Sequence, residues 1–300
     1  MINSSEIQMG ENGIKIFDRE AVRRHRERAA GDLDSFSFLF REASERLVDR
    51  LFDMRRSFPI ALNLGSHNGI VTEILAGRDD IRTMVQYDLS EKMVRATSGL
   101  RVVGDEEVQP FANSIFDLII SSASFHWIND LPGTLVQALR SLKPDGLLLV
   151  NFFGGETLTE LRRSLLEAES EIKGGVSPRI SPFADLRDAG ALLQRAGFAL
   201  PVADIESMTV WYDSPQKLLY DLRGMGEANA ITGRLKSFTS RNLLLLACNR
   251  YRELYEDSSG RIPATFEIIT LTGWAPAPNQ QNPAKRGSGQ FALKDVLDNI

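Results

Sequence analysis

Phe58-Pro-Ile-Ala-Leu-Asn-Leu-Gly-Ser-His-Asn-Gly69 is the stretch that decides the fold. Ile60 to Leu64 is apolar at every position but Asn63 and is introduced by Pro59, the pattern of a short buried strand. It runs into a turn with glycines at 65 and 69, then into the helical spacing Ile70, Ile74, Leu75. Strand, glycine turn and helix make the phosphate or nucleoside cradle of doubly wound α/β proteins. Glycine there admits a closely approaching ligand and takes positive φ without strain. A second strand, Thr83 to Tyr87, ends on Asp88, 19 residues after Gly69. An acidic residue at about that distance accepts hydrogen bonds from ribose hydroxyls.

Spacing separates the ligands such a turn could take. A dinucleotide fingerprint starting at Gly65 needs glycines at 67 and 70 and meets His67 and Ile70. The looser turn with glycines at 65, 67 and 69 departs only at His67. On these residues the region resembles the class I S-adenosylmethionine-dependent methyltransferases, with Asn63 where that family usually carries an acidic residue. The resemblance implies a Rossmann-like sheet of seven strands. It also implies that Gly65, Ser66 and Gly69 present backbone to the cofactor's amino-acid end. Asp88 would hold its ribose, and Asp105 and Glu106 would meet its adenine. His67, Leu89 and Ser122 complete the expected cofactor set.

Composition sets the outer limits. With 43% apolar and 25% charged residues, the chain of 300 residues has the make-up of an ordinary globular protein. A net charge of −5 argues against a nucleic-acid partner. The apolar runs, such as Leu243 to Cys248, are too short for a membrane span. The first residues lack the apolar core of a secretion signal and the Arg-rich pattern of a transit peptide, so the expected location is cytoplasmic. One cysteine, in an apolar helical pattern, reads as a buried structural thiol, and three histidines without zinc-type spacing predict no metal site.

Residues 14 to 28 hold Arg19, Arg23, Arg24, Arg26 and Arg28 among Asp18, Glu20 and Glu27, which reads as a solvated helix face or a docking patch for an acidic partner. From Phe36 the spacing Leu39, Phe40, Ala43, Leu47, Leu51 predicts a helix that packs over the core. Ser90 is placed to cap the helix that follows Asp88. Phe116 to Ile120 is a fourth strand, and the loop Ser121-Ser-Ala-Ser-Phe-His126-Trp127 follows it. In the family this loop faces the transferred methyl group, so His126 is the candidate general base and Trp127 a substrate contact. A packed aromatic pair is the plainer reading of the same two residues. A helix over 132 to 142 and the turn Lys143-Pro-Asp-Gly146 lead to a strand from Leu147 to Phe152. Further helices are expected over 156 to 172 and 183 to 196, and a sixth strand over Met208 to Tyr212. Residues 214 to 256 read as helices broken at Arg223-Gly-Met-Gly226, and Thr265 to Thr272 as a seventh strand, antiparallel at the sheet edge.

Longer motifs carry a closer resemblance. Ile16-Phe-Asp-Arg19, Ser124-Phe-His-Trp-Ile-Asn-Asp-Leu-Pro132, Phe153-Gly-Gly-Glu-Thr-Leu158, Gly174-Gly-Val-Ser-Pro-Arg-Ile-Ser-Pro-Phe183, Leu222-Arg-Gly-Met-Gly-Glu-Ala-Asn229 and Pro283-Ala-Lys-Arg-Gly-Ser288 follow one another in order. Together they resemble the family of mitochondrial complex I assembly factors with a methyltransferase fold. More distantly, the chain is similar to the enzymes that O-methylate malonyl-acyl carrier protein. The first resemblance implies hydroxylation of an arginine in a complex I subunit, the second methyl transfer to an acyl carrier protein, and both imply a substrate borne on a protein. A non-catalytic assembly chaperone is the remaining alternative. The expected organisation is an N-terminal helical cover (1–55), a cofactor-binding core (56–213 and 264–275), a helical lid (214–263) and an irregular tail (276–300). Arg179, in the rigid loop at 177–182, and Arg223, in the lid, join Trp127 as expected substrate contacts.

Overall fold

The computed structural model describes residues 15–52, 54–182, 186–280 and 287–288. Seven strands form one sheet: β1 (Ile60–Leu64), β2 (Thr83–Asp88), β3 (Leu100–Val103), β4 (Phe116–Ser122), β5 (Leu142–Phe153), β6 (Ala199–Tyr212) and β7 (Ile262–Trp274). Their order is β3-β2-β1-β4-β5-β7-β6. β1 to β5 pair in parallel, and β7 runs antiparallel to both its neighbours. The chain reverses its direction of build between β1 and β4, and in open α/β sheets ligands sit outside the carboxyl ends of strands at such a point.

Nine α-helices cover the described part of the sheet: α1 (Arg19–Ala29), α2 (Phe38–Phe52), α3 (Ile70–Ile74), α4 (Glu91–Ala96), α5 (Leu131–Ser141), α6 (Thr159–Lys173), α7 (Leu186–Ala196), α8 (Pro215–Met225) and α9 (Arg241–Tyr255). The central strands are apolar on both faces because each face receives helices. Leu118, Ile120, Leu147 and Leu149 pack against Leu47, Val48 and Leu51 of α2 and Val71 of α3. The alternate residues Ile119, Leu148 and Val150 meet Leu135 and Ala138 of α5 and Ala189 and Leu193 of α7. A third apolar cluster joins α6, α8 and α9 to Phe153, Tyr212, Phe266 and Ile268. Fully burying one such Leu or Phe contributes about 1.5–3 kcal/mol.

The Ser90 cap acts as the sequence predicts. The Ser90 side chain accepts from the Met93 N–H, and Gly174 ends α6 with φ of 67°. Cys248 is buried. Five expectations need correction. β7 is antiparallel but interior, between β5 and β6, and β6 takes the edge. The physical reason lies in their side chains: β7 is buried almost throughout, whereas β6 is exposed at every second position over much of its length. β6 also begins nine residues earlier than the alternation around Met208 suggests. Arg223-Gly-Met-Gly226 is no break before its last residue, since α8 continues to Met225 and stops where Gly226 takes φ of 84°. β5 begins at Leu142, so the predicted turn 143–146 is the irregular start of a strand, with Asp145 at φ of 64°. The tail from 276 lies largely outside the described residues.

The fifth correction concerns the basic helix. α1 is not simply a solvated face: Arg23 and Arg24 point to solvent, but Arg26 is buried and the Arg19 side chain nearly so. One face of α1 carries Ala21, Val22 and Ala29 inward, and the two arginines follow them.

Candidate functional site

Four strand ends and α1 meet in one buried cluster of charge. Gly65 has φ of 72° and Gly69 of 92°, so both use the conformation glycine permits, and His67 between them is also left-handed at 47°. The His67 N–H donates to Asp88 Oδ2 at 3.0 Å, and the Ser90 N–H donates to Asp88 Oδ1 at 2.8 Å. The turn after β1 is thus locked to the end of β2. Leu89, between Asp88 and the Ser90 cap, packs against Phe17, Ala21, Val22 and Trp127 beneath α1.

Arg26 enters this cluster from above. Its Nη1 donates to Asp88 Oδ2 at 3.0 Å and to Glu106 Oε1 at 2.7 Å, and its Nη2 donates to Ser124 Oγ at 2.8 Å. Arg19 donates to Asp105 Oδ1 at 2.7 Å and to the Trp127 carbonyl at 3.1 Å, and pairs with Glu106. Burial works against charge on Arg26, but Asp88 and Glu106 outweigh it and raise its pKa. Burial likewise opposes ionisation of Glu106, while Arg19 and Arg26 hold its carboxyl at about 2. Each expected carboxylate is therefore bound to an arginine, and the two arginines that bind them were not expected.

His67 lies flat on Phe40, with ring centroids 4.7 Å apart. Its Nε2 sits 3.2 Å from the Ala123 carbonyl, which makes that nitrogen the protonated one. Burial, and then the Arg26 charge, lower its pKa, so the ring is neutral. Asn63 is fully buried and donates to Gln86 Oε1 at 3.1 Å, an amide pair between β1 and β2 in place of a carboxylate. Ser122 takes part in a second buried polar knot, in which its hydroxyl donates to Asn151 Oδ1 at 2.9 Å and receives one from Ser44. Asn151 also donates to the Ala43 carbonyl, tying α2 to β5.

Beside the charged cluster lies a cavity of about 420 Å3. Trp127, Arg179 and Arg223 all line it, so the structure brings the three expected substrate contacts together. Most of the wall is apolar, with Leu158, Leu161, Leu222 and Phe266 prominent. Arg179 is held by Glu169 at 2.6 Å and by Thr239. Glu227 is the carboxylate in the wall, and one of its oxygens accepts from His126 Nε2 and from Trp127 Nε1, each at 2.9 Å. Burial would raise the Glu227 pKa, but His126, His67 and Arg26 lower it. His126 itself is buried behind Glu227 against Phe153, so it meets the cavity through that carboxylate. His126, the expected general base, hydrogen-bonds Glu227 and is not among the residues lining the cavity. Glu227 was missed because a glutamate after Gly226 carries no spacing signal.

Trp127 joins the two regions, its carbonyl bound to Arg19 and its indole at the cavity. The turn suits the amino-acid end of S-adenosylmethionine, because Ser66 Oγ and His67 Nδ1 are buried there without a hydrogen-bond partner. The nucleoside end would meet Asp88 and Glu106, which in this conformation bind Arg26.

Residues 62–150 match the family model described as a methyltransferase domain. The chain is 40% identical to the mitochondrial arginine-hydroxylase NDUFAF5 of Danio rerio over 95% of this chain and 90% of that protein. It is 41% identical to the human protein of the same name, over 94% and 84% respectively. A malonyl-[acyl-carrier protein] O-methyltransferase of a Methylovorus species is 31% identical over 92% of this chain and 95% of its own length. The YcgJ protein of Bacillus subtilis shares the fold with a TM-score of 0.55 at 14% identity, over 78% of this chain and 99% of that one.

Proposed function

The chain belongs to the S-adenosylmethionine-dependent methyltransferase family that includes the arginine-hydroxylases NDUFAF5 and the malonyl-[acyl-carrier protein] O-methyltransferases, and from that premise we propose that it acts on a substrate group carried by another protein. One observation carries the reading. A mostly apolar cavity adjoins the strand-end cluster at Trp127, whose carbonyl binds Arg19 and whose ring lines the cavity, so a group inserted there would lie next to the cofactor's reacting end.

When bound, the cofactor supplies an electrophilic methyl group. Gly65, Ser66, His67 and Gly69 would hold its amino-acid end, Asp88 its ribose, and Glu106 with Asp105 its adenine. Leu89 and Ser122 would act behind them, as packing under α1 and as the anchor of the β4 loop. The chain's own part is positioning: transfer to a neutral or anionic nucleophile depends chiefly on in-line placement. Trp127 and the apolar wall exclude water, Arg179 and Arg223 orient the acceptor, and α8, α9 and the segment between them form the lid over it. His126 keeps Glu227 ionised and aimed.

Glu227 favours a second reading. A buried, ionised carboxylate in an apolar wall suits a cationic group such as guanidinium. Arginine hydroxylation, the activity for which the NDUFAF5 relatives are named, would place its substrate there. A complex I subunit would be the protein partner under that reading, and acyl carrier protein under the first. No helix among the described residues is long and apolar enough to cross a membrane. Incubation in air with labelled S-adenosylmethionine, an electron donor and each candidate protein, followed by mass spectrometry, separates the readings. Gain of a methyl supports transfer, and gain of an oxygen supports hydroxylation. No change in any partner refutes both and leaves an assembly chaperone.

A further inference from the structure

Arg26 reaches the floor of the crevice from α1 and is 2% exposed. Its guanidinium binds acceptors at three strand ends at once: Asp88 after β2, Glu106 after β3 and Ser124 after β4. Those are the acceptors that ribose hydroxyls and an exocyclic amine would use. The opposite wall is closed too, since a Cβ on Gly65 would collide with the Ser124 side chain. Turn and β4 loop therefore touch across the crevice, while Ser66 Oγ and His67 Nδ1 stay unpartnered beside them.

Resting on the cofactor reading above, we propose that Arg26 is an internal occupant of the nucleoside position, and that cofactor enters only as α1 withdraws it. The closed form is stable because the guanidinium neutralises two buried carboxylates. Its stability lowers the apparent affinity by the fraction of molecules that are open. The start of α1 is fastened by a short antiparallel bridge between Phe17 and Ile231. There the Asp18 N–H donates to the Ala230 carbonyl and the Thr232 N–H to the Ile16 carbonyl, each at 2.8 Å. Beyond its far end Gly31 has open space around it. Withdrawal thus releases the Phe17 bridge and swings α1 about its Gly31 end, which couples cofactor entry to the segment 229–234, whose Asn229 and Arg234 line the cavity.

Calorimetric titration with S-adenosylhomocysteine tests this on three forms of the full chain: the parent, Arg26→Met, and the pair Phe17→Cys with Ile231→Cys. Phe17 and Ile231 face each other as a non-hydrogen-bonded antiparallel pair, the geometry in which two cysteines bridge readily. Arg26→Met is expected to bind at least ~tenfold more tightly than the parent, because the closed form loses its counter-charge. The oxidised cysteine pair is expected to bind at least ~tenfold more weakly than the same protein reduced, because the helix cannot leave. A folded Arg26→Met that binds no more tightly overturns the inference. Equal affinity of the oxidised and reduced pair overturns it as well, and decides the matter should Arg26→Met not fold. If no form binds, the cofactor reading fails and takes the inference with it. If all forms bind equally, the inference alone fails.

Discussion

Replacing Glu106 with Gln removes the carboxylate on which both inward arginines converge. Glu106 is fully buried, accepts from Arg26 at 2.7 Å and from Ser124 at 3.0 Å, and pairs with Arg19. Burial pushes its carboxyl up, but Arg19 and Arg26 hold it at about 2 against an ordinary 4.5. That difference favours the folded state by about 3 kcal/mol at neutral pH. The folded value lies below the unfolded one, so this stability is complete above the unfolded value and drains away as pH falls toward about 2. Leaving the two buried guanidinium groups one carboxylate short is expected to cost about 3–5 kcal/mol. Urea unfolding near pH 7 should show that loss. By about pH 3.5 the gap between parent and Glu106→Gln should narrow by roughly 1.4 kcal/mol, as the parent loses its own advantage. A gap below about 1 kcal/mol at neutral pH, or one that stays constant on acidification, refutes the reasoning.

His67→Gly frees a left-handed position of a side chain it does not favour, a gain of about 1 kcal/mol, but removes a ring stacked on Phe40 and bonded to Ala123, so a net loss of about 1–3 kcal/mol is expected in thermal unfolding. An unchanged or raised melting temperature would mean the ring contributes nothing to the turn. Asn151→Ala strips hydrogen bonds from the Ala43 carbonyl, the Ala123 N–H and the Ser122 hydroxyl, all buried, and should cost about 2–4 kcal/mol in urea. A loss no larger than that of an exposed substitution would show the knot to be dispensable. Glu227→Gln keeps the cavity's shape but not its charge. Affinity for an arginine-bearing peptide should fall about ten- to a hundredfold with S-adenosylhomocysteine binding unchanged, and equal peptide affinity excludes a cationic occupant.

What the sequence settled by itself is local in cause. Ile60 to Leu64 had to be a buried strand, because only Asn63 interrupts its apolar run, and the glycines at 65 and 69 had to turn, because the backbone there takes positive φ. The spacing to Asp88 placed a carboxylate beside that turn, and the motifs around Trp127, Arg179 and Arg223 named three residues that do share one cavity. Periodicity reports which face of an element is apolar, so it reads helices such as α2 well. It does not report which strand lies between two others, so the interior place of β7 between β5 and β6 is not legible in it. Nor can it tell a solvated arginine from a buried one. Arg23 and Arg26 look alike in α1, and only the acidic strand ends brought beneath the helix from residues 62 and 80 positions away decide which of them leaves water. Charge pays no heed to distance along the chain, so the pairing of Arg26 with Asp88 and Glu106, and of His126 with Glu227, was decided by tertiary structure alone.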